Sequence, residues 1–162
     1  MTHEQIFKNA KWIERTGSDA PVFFRKINAV AGEKAEITIC GLGFFKLYIN
    51  GKKVSNDLLV PNATCYNYRD LSLLTFPLED EMSFRIYALK YDISDYLKDG
   101  ENTLCVIVGN GYYNQLDRHA EGVVTFGTPK LCYIIEKTSG NIISDENPLS
   151  HKGVVTYNNL YY

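Results

Sequence analysis

Residues 44–54 read FFKLYINGKKV. An aromatic and apolar run, the pair Asn50-Gly51, and a second run starting at Lys52 make up a β-hairpin. A two-residue type I′ turn needs positive φ at both central positions, and Asn followed by Gly adopts that with the least strain. The hairpin therefore places this part of the chain in the β class.

The flanks continue in the same way. Upstream, VFFRKINAV (22–30), a polar break (31–34) and AEITICGLG (35–43) have strand spacing. Downstream, DLLVPNATCYNY (57–68) carries the loop signal Pro61-Asn62, LSLLTF (71–76) reads as a strand, and the acidic turn Glu79-Asp80-Glu81 leads into SFRIYALKY (83–91). In YDISDYLKDGENTLCVIVGNGYYN (91–114), Asp92 caps one short helical turn with Ile93, Tyr96 and Leu97 on its apolar side, and Lys98-Asp99-Gly100 ends it. NTLCVIVGN (102–110) follows as a central strand with apolar side chains on both faces, released at Gly109-Asn110-Gly111, where Tyr112 and Tyr113 emerge at an edge. NQLDRHAEGVVTFGTP (114–129) reads as a long loop, and KLCYIIEKTSGNIISD (130–145) as a hairpin turned at Ser139-Gly140-Asn141. Eight or so strands and one helical turn predict an all-β fold, an antiparallel two-sheet sandwich of jelly-roll, galactose-binding-like type.

At 162 residues the chain has the size of one domain, so residues 1–162 are expected to share a single core. Twelve Tyr and eight Phe against one Trp suit pleated, half-buried strands. A net charge of −2 supplies no basic face for nucleic acid. The first ten residues lack the apolar core of a signal peptide, and no run approaches the ~18 apolar residues of a spanning helix, so a cytoplasmic protein with no membrane partner is expected. Cys40, Cys65, Cys105 and Cys132 are far apart in sequence, three of them inside apolar runs, which predicts buried free thiols rather than a disulfide framework or a metal site. The carboxylates at 79–81 and the group Asp117-Arg118-His119 read as solvated loops, Trp12 as a core or interdomain anchor, and His3 and His151 as exposed. No Gly-rich phosphate loop, metal-ligand spacing or nucleophile motif is present, so the chain by itself is not expected to be an enzyme.

KWI (11–13), PVFFRK (21–26), GLGFFKLYINGKKV (41–54), residues 91–114 and VVTYNNLYY (154–162) resemble, in the same order, the N-terminal region of bacterial α-L-rhamnosidases, glycoside hydrolases of family 78. DISDYLKDGEN (92–102) also resembles sugar-binding jelly rolls of β-galactosidase-like enzymes. The resemblance implies a non-catalytic N-terminal accessory domain of a larger multidomain hydrolase of terminal α-L-rhamnosides. The catalytic acids would lie in an (α/α)6 barrel outside this chain, and the partners would be that barrel, other β-domains of the parent, and rhamnose-containing glycosides. It equally implies that related domains act as carbohydrate-binding modules, some with calcium, through loops at one end of the sandwich; no other cofactor is implied. Where the family has Pro-Gly-Trp-Thr-x-Tyr this chain has residues 61–66 without the tryptophan, and the segment 67–85 is longer than its counterpart. Asn110-Gly111-Tyr112-Tyr113 stands where the family has an acid or amide, Gly and Trp-Tyr.

A sugar ring stacks its C–H face on an aromatic ring while amides and carboxylates take its hydroxyls. On that basis Asn110, Tyr112, Tyr113, Asn114 and Asp117 are the candidate carbohydrate contacts, and Asn56, Asp57 and Asn62 the oxygen ligands available to calcium. The sequence leaves two roles open, packing on a neighbouring domain and binding sugar as a module.

Overall fold

The computed structural model describes residues 2–17, 20–64, 66–67, 85–115, 124–153 and 155. In chain order the elements are α1 (His3–Phe7), β1 (Ile13–Glu14), β2 (Val22–Ala29), β3 (Ala35–Leu42), β4 (Phe45–Ile49), β5 (Lys52–Lys53), β6 (Leu89–Asp92), a 3-10 turn (Ser94–Tyr96), β7 (Gly100–Val108), β8 (Asn114–Gln115), β9 (Val124–Thr125), β10 (Lys130–Lys137), β11 (Ile142–Ile143) and β12 (Leu149–His151). One sheet runs β1-β10-β3-β6, with β11 also on β10; the other runs β12-β2-β7-β4-β5; β8 and β9 form a separate ribbon. All the pairings are antiparallel. The two larger sheets share a core in which Ile27, Ile37, Ile39, Ile49, Leu104, Val106 and Ile135 are at most 1% exposed. The fold is the expected antiparallel β-sandwich. Among the described residues no helix is long and apolar enough to cross a membrane.

The opening hairpin forms as the Asn-Gly pair requires, with φ of 51° at Asn50 and 77° at Gly51, and with Ile49 opposite Lys52. Asn50 also does something that turn chemistry alone does not ask of it. Its side-chain amide donates to Tyr96 O (3.0 Å) and to Asn102 Oδ1 (2.7 Å), while its Oδ1 accepts from Thr103 N (3.0 Å). Asn102 is 1% exposed; its Oδ1 also accepts from Lys98 N (2.9 Å), and its Nδ2 donates to Lys98 O (2.8 Å), Gly100 O (3.0 Å) and Ile27 O (3.4 Å). Two amides thus join the hairpin tip, the 3-10 turn, β7 and β2. The turn itself is fixed by Asp92, whose Oδ1 accepts from Ser94 N (2.9 Å) and Ser94 Oγ (2.6 Å), and it buries Ile93 and Leu97.

The structure departs from the sequence expectation in several places. Strand β7 is the expected central strand with apolar side chains on both faces, Cys105 and Ile107 being half-buried on its outer side, but the strand fully buried on both faces is β10, in which Leu131, Cys132, Tyr133, Ile134 and Ile135 are all buried. The physical reason is a second layer outside β10. Phe7 of α1 and Ala10 cover Cys40, Cys132 and Ile134 in a separate apolar cluster, with Trp12 and Ile143 at its margin. Burial pushes the Cys40 thiol up to about 12, with Cys132 adding to it, and the Cys132 thiol up to about 11. The helix has a capping box: Thr2 Oγ1 accepts from Gln5 N, and Gln5 Oε1 accepts from Thr2 N. His3, expected to be exposed, is half-buried and stacks against Trp12 at 5.8 Å, whereas His151 is exposed. Of the described residues 85–91 only the end joins a strand, β6, and the long loop from Asn114 opens and closes as the β8-β9 ribbon. Edge strands β1 and β12 add to the expected set. Residues 71–81 lie outside the described residues.

Asn50→Gly keeps the positive φ and removes the amide, so a loss of about 1–2 kcal/mol in urea denaturation is expected, against about 2–4 kcal/mol for Asn102→Ala, which strands buried partners. An Asn102→Ala protein as stable as the parent would show that the amide hub contributes nothing. Phe7→Ala is expected to cost about 2 kcal/mol, less than a central Phe because α1 can detach locally. In the same variant Cys40 and Cys132 should react with maleimide about tenfold faster.

Candidate functional site

The predicted contacts at 110–114 follow the end of β7, where β7 stops beside the start of β4. Two glycines interlock there. A Cβ on Gly43, at φ 118°, would lie 2.1 Å from Gly109 O, and one on Gly111, at φ 50°, would lie 2.8 Å from Phe44 N. Gly109 N donates to Phe44 O at 2.7 Å and Phe45 N donates to Val60 O at 2.8 Å, closing the crossing. Only glycine permits this approach of the two backbones.

The crossing turns the next residues inward. Asn110 is 1% exposed, and its carbonyl accepts from Tyr113 N and Asn114 N, both at 3.2 Å, while its Oδ1 accepts from Asn114 Nδ2 at 3.3 Å. Gln115 is fully buried and donates through Nε2 to Gly111 O. Tyr113, 8% exposed, meets Tyr66 edge-on at 5.1 Å and Phe126 at 5.9 Å, and Tyr66 meets Phe126 at 5.2 Å. Desolvation raises the phenol pKa of both Tyr66 and Tyr113. Tyr112 points the other way, 36% exposed, its ring edge-on to Phe44 at 5.8 Å.

The five candidate carbohydrate contacts are therefore divided. Asn110 and Tyr113 face the interior and brace the loop, Tyr112 is exposed with Asn114 half-buried nearby in sequence, and Asp117 lies outside the described residues. Two adjacent tyrosines take opposite sides because the chain turns at Gly111, which residue type alone does not announce. The aromatic triad of Tyr66, Tyr113 and Phe126 joins segments distant in sequence, and its only advance signal is aromatic content.

The calcium candidates follow β5 in the chain. Asn56, Asp57 and Asn62 are exposed, and the Asp57 carboxyl is held below the usual range by the Ser55 hydroxyl and by Tyr91 Oη, which donates to Oδ2 at 3.0 Å. Tyr91 in turn is pushed up to about 12 by burial and by this carboxylate. The crevice beside them, with Lys53 and Val60 in its wall, holds ≈ 10 Å³, about one water. Among the described residues no three His, Cys, Asp or Glu side chains are grouped to hold a metal ion.

A larger groove, ≈ 580 Å³, lies along α1 and is lined by His3, Glu4, Lys8, Lys11 and Trp12. Sequence reading missed it, because it exists only once the helix is docked on β10. His3 Nε2 faces Ala10 O at 3.3 Å, and Lys8 Nζ pairs with Glu136 Oε1 of β10 at 2.8 Å, so its rim is tied to the sheet.

Comparisons with known proteins follow this architecture. The chain is 29% identical over 160 residues to an α-L-rhamnosidase of Formosa agariphila, a match covering 92% of this chain and 15% of that protein. It thus spans a small part of the relatives' length. Among solved structures, an α-L-rhamnosidase from Dictyoglumus thermophilum superposes with a TM-score of 0.66 at 27% identity, over 96% of this chain and 17% of that one. The α-L-rhamnosidase of Aspergillus terreus gives a TM-score of 0.71 at 21% identity over 94% of this chain and 18% of that one, which speaks to the fold. The family model described as the α-L-rhamnosidase N-terminal domain matches residues 31–162, from the strand before the hairpin through the glycine crossing to the end, and the chain belongs to that family.

Proposed function

We propose that the chain is the non-catalytic accessory domain of an enzyme that hydrolyses terminal α-L-rhamnosides, and that its main role is to pack against other domains of the parent polypeptide. One observation carries this reading. On the outer face of the β12-β2-β7-β4-β5 sheet, Leu149, Phe24, Cys105 and Tyr48 stand opposite one another across four strands, and beside them runs the row His151, Val22, Ile107 and Lys46. Leu149 is 62% exposed and Phe24 36%. A sheet face kept in water alternates to polar residues at such positions, so a contiguous apolar row there marks a contact surface. The aromatic end supports packing more than chemistry, since Asn110, Tyr113 and Gln115 are consumed in bracing the loop.

A second reading rests on Tyr112, whose exposed ring keeps one aromatic surface available to a sugar at the end where related modules bind. A titration of the domain with L-rhamnose, followed by ¹H-¹⁵N shifts with and without calcium, separates the two. Localised shifts around residues 110–115 that Tyr112→Ala abolishes would establish the binding module, whereas a flat titration is expected if the domain only packs.

The packing role predicts a context-dependent effect. Phe24→Lys should change the stability of the isolated domain by less than about 0.5 kcal/mol, as surface substitutions do. In the parent-length enzyme it should lower the melting midpoint and raise amide exchange along β2 and β7. An unchanged parent enzyme would remove this face as the contact surface, and turnover of an aryl rhamnoside by the domain alone would overturn the non-catalytic role.

A further inference from the structure

Cys40 of β3 and Cys132 of β10 are direct partners in the antiparallel register. They project from the same face of the sheet, because directly opposite residues of a pleated pair do, and both belong to the apolar cluster beneath α1 at 0% exposure. The hydrogen-bonding pattern fixes the kind of pair. Tyr133 N and O both bond to Ser144, on the β11 side of β10, so the backbone groups of Cys132 point the opposite way, to β3. Cys132 and Cys40 are thus a hydrogen-bonded pair, for which the Cα atoms lie about 5.5 Å apart, inside the range a disulfide spans. Their Cβ atoms must draw in by roughly 1 Å to close it, which leaves the bridge strained and readily reduced. Cys105 sits on the outer face of the other sheet and is no competitor.

We propose that Cys40 and Cys132 form a convertible dithiol, closed to a cross-strand disulfide by a small-molecule disulfide oxidant and reopened by thiols. In the closing reaction one cysteine, as thiolate, attacks a sulfur of oxidised glutathione and expels one glutathione thiolate, which takes up the proton. The second cysteine then attacks the protein sulfur of the mixed disulfide, forms the Cys40–Cys132 bond and releases the second glutathione. Two protein thiols are oxidised and one glutathione disulfide is reduced to two thiols. Both groups are covered by Phe7 and stay protonated at neutral pH, so the reaction requires α1 to lift, and the short helix acts as its cover.

The test uses the 162-residue chain incubated with oxidised glutathione, capped with maleimide and digested without reduction. The expected result is a peptide pair joined through Cys40 and Cys132, lost with dithiothreitol, retained in the Cys65→Ser/Cys105→Ser variant, and formed about tenfold faster in Phe7→Ala, in line with local opening. Recovery of Cys40 and Cys132 as separate maleimide or glutathione adducts, even after the chain is unfolded and refolded in the oxidant, would overturn the proposal. So would linkage of either one to Cys65 or Cys105 instead.

Discussion

The contact between the side chains of Asn50 and Asn102, at 2.7 Å, holds together more of this domain than its size suggests. Asn50 is needed at its position for backbone reasons, because the hairpin turn takes φ of 51° there. Asn102 is buried where an unpaired amide would be costly, so its donors and acceptor must be met by neighbours. Each solves the other's problem. The consequence is that the tip of the hairpin, the start of β7 and the 3-10 turn cannot move independently, and the register that the buried face of β7 already sets is reinforced at this end by a polar anchor.

The opposite end is registered by shape. The approach of Gly43 to Gly109 and of Gly111 to Phe44 lets β4 and the exit of β7 cross without side chains between them. That crossing decides which residues of 110–115 are structural. It spends Asn110, Tyr113 and Gln115 on the loop's own support and leaves Tyr112 as the exposed ring among residues 110–115. The apolar row of Leu149, Phe24, Cys105 and Tyr48 on the outer face of the β7 sheet is a broader feature, and on the proposed reading it meets a protein surface.

How much of this was legible follows from how local each cause is. The hairpin at 50–51, the strands β2, β3, β7 and β10, and the turn after Asp92 are written in nearest-neighbour chemistry, so the sandwich could be read directly. The helix α1 was not, although Thr2 and Gln5 carry a capping signal, because five residues hold a helix only when Phe7 has a sheet to rest on. Likewise the run LCYII in β10 is as apolar as LCVIV in β7, and only the second layer decides which of the two is covered twice. Of the candidate site, the location at the sheet end was legible, but the inward turn of Tyr113 depends on backbone geometry at Gly111 and on partners as distant as Tyr66 and Phe126.

Strand β12 is held to its sheet by three residue pairs with β2, reinforced where Arg15 Nη1 donates to Ser150 O at 3.3 Å and Ser150 Oγ at 3.1 Å. Hydrogen bonds in an antiparallel edge pair lie across the strand, so a pull on residue 151 in the direction away from the sheet loads them one after another, as in a zipper, instead of all at once in shear. The core behind β2 takes none of that load. Strand β12 can thus yield and re-form under load while the sandwich keeps its shape.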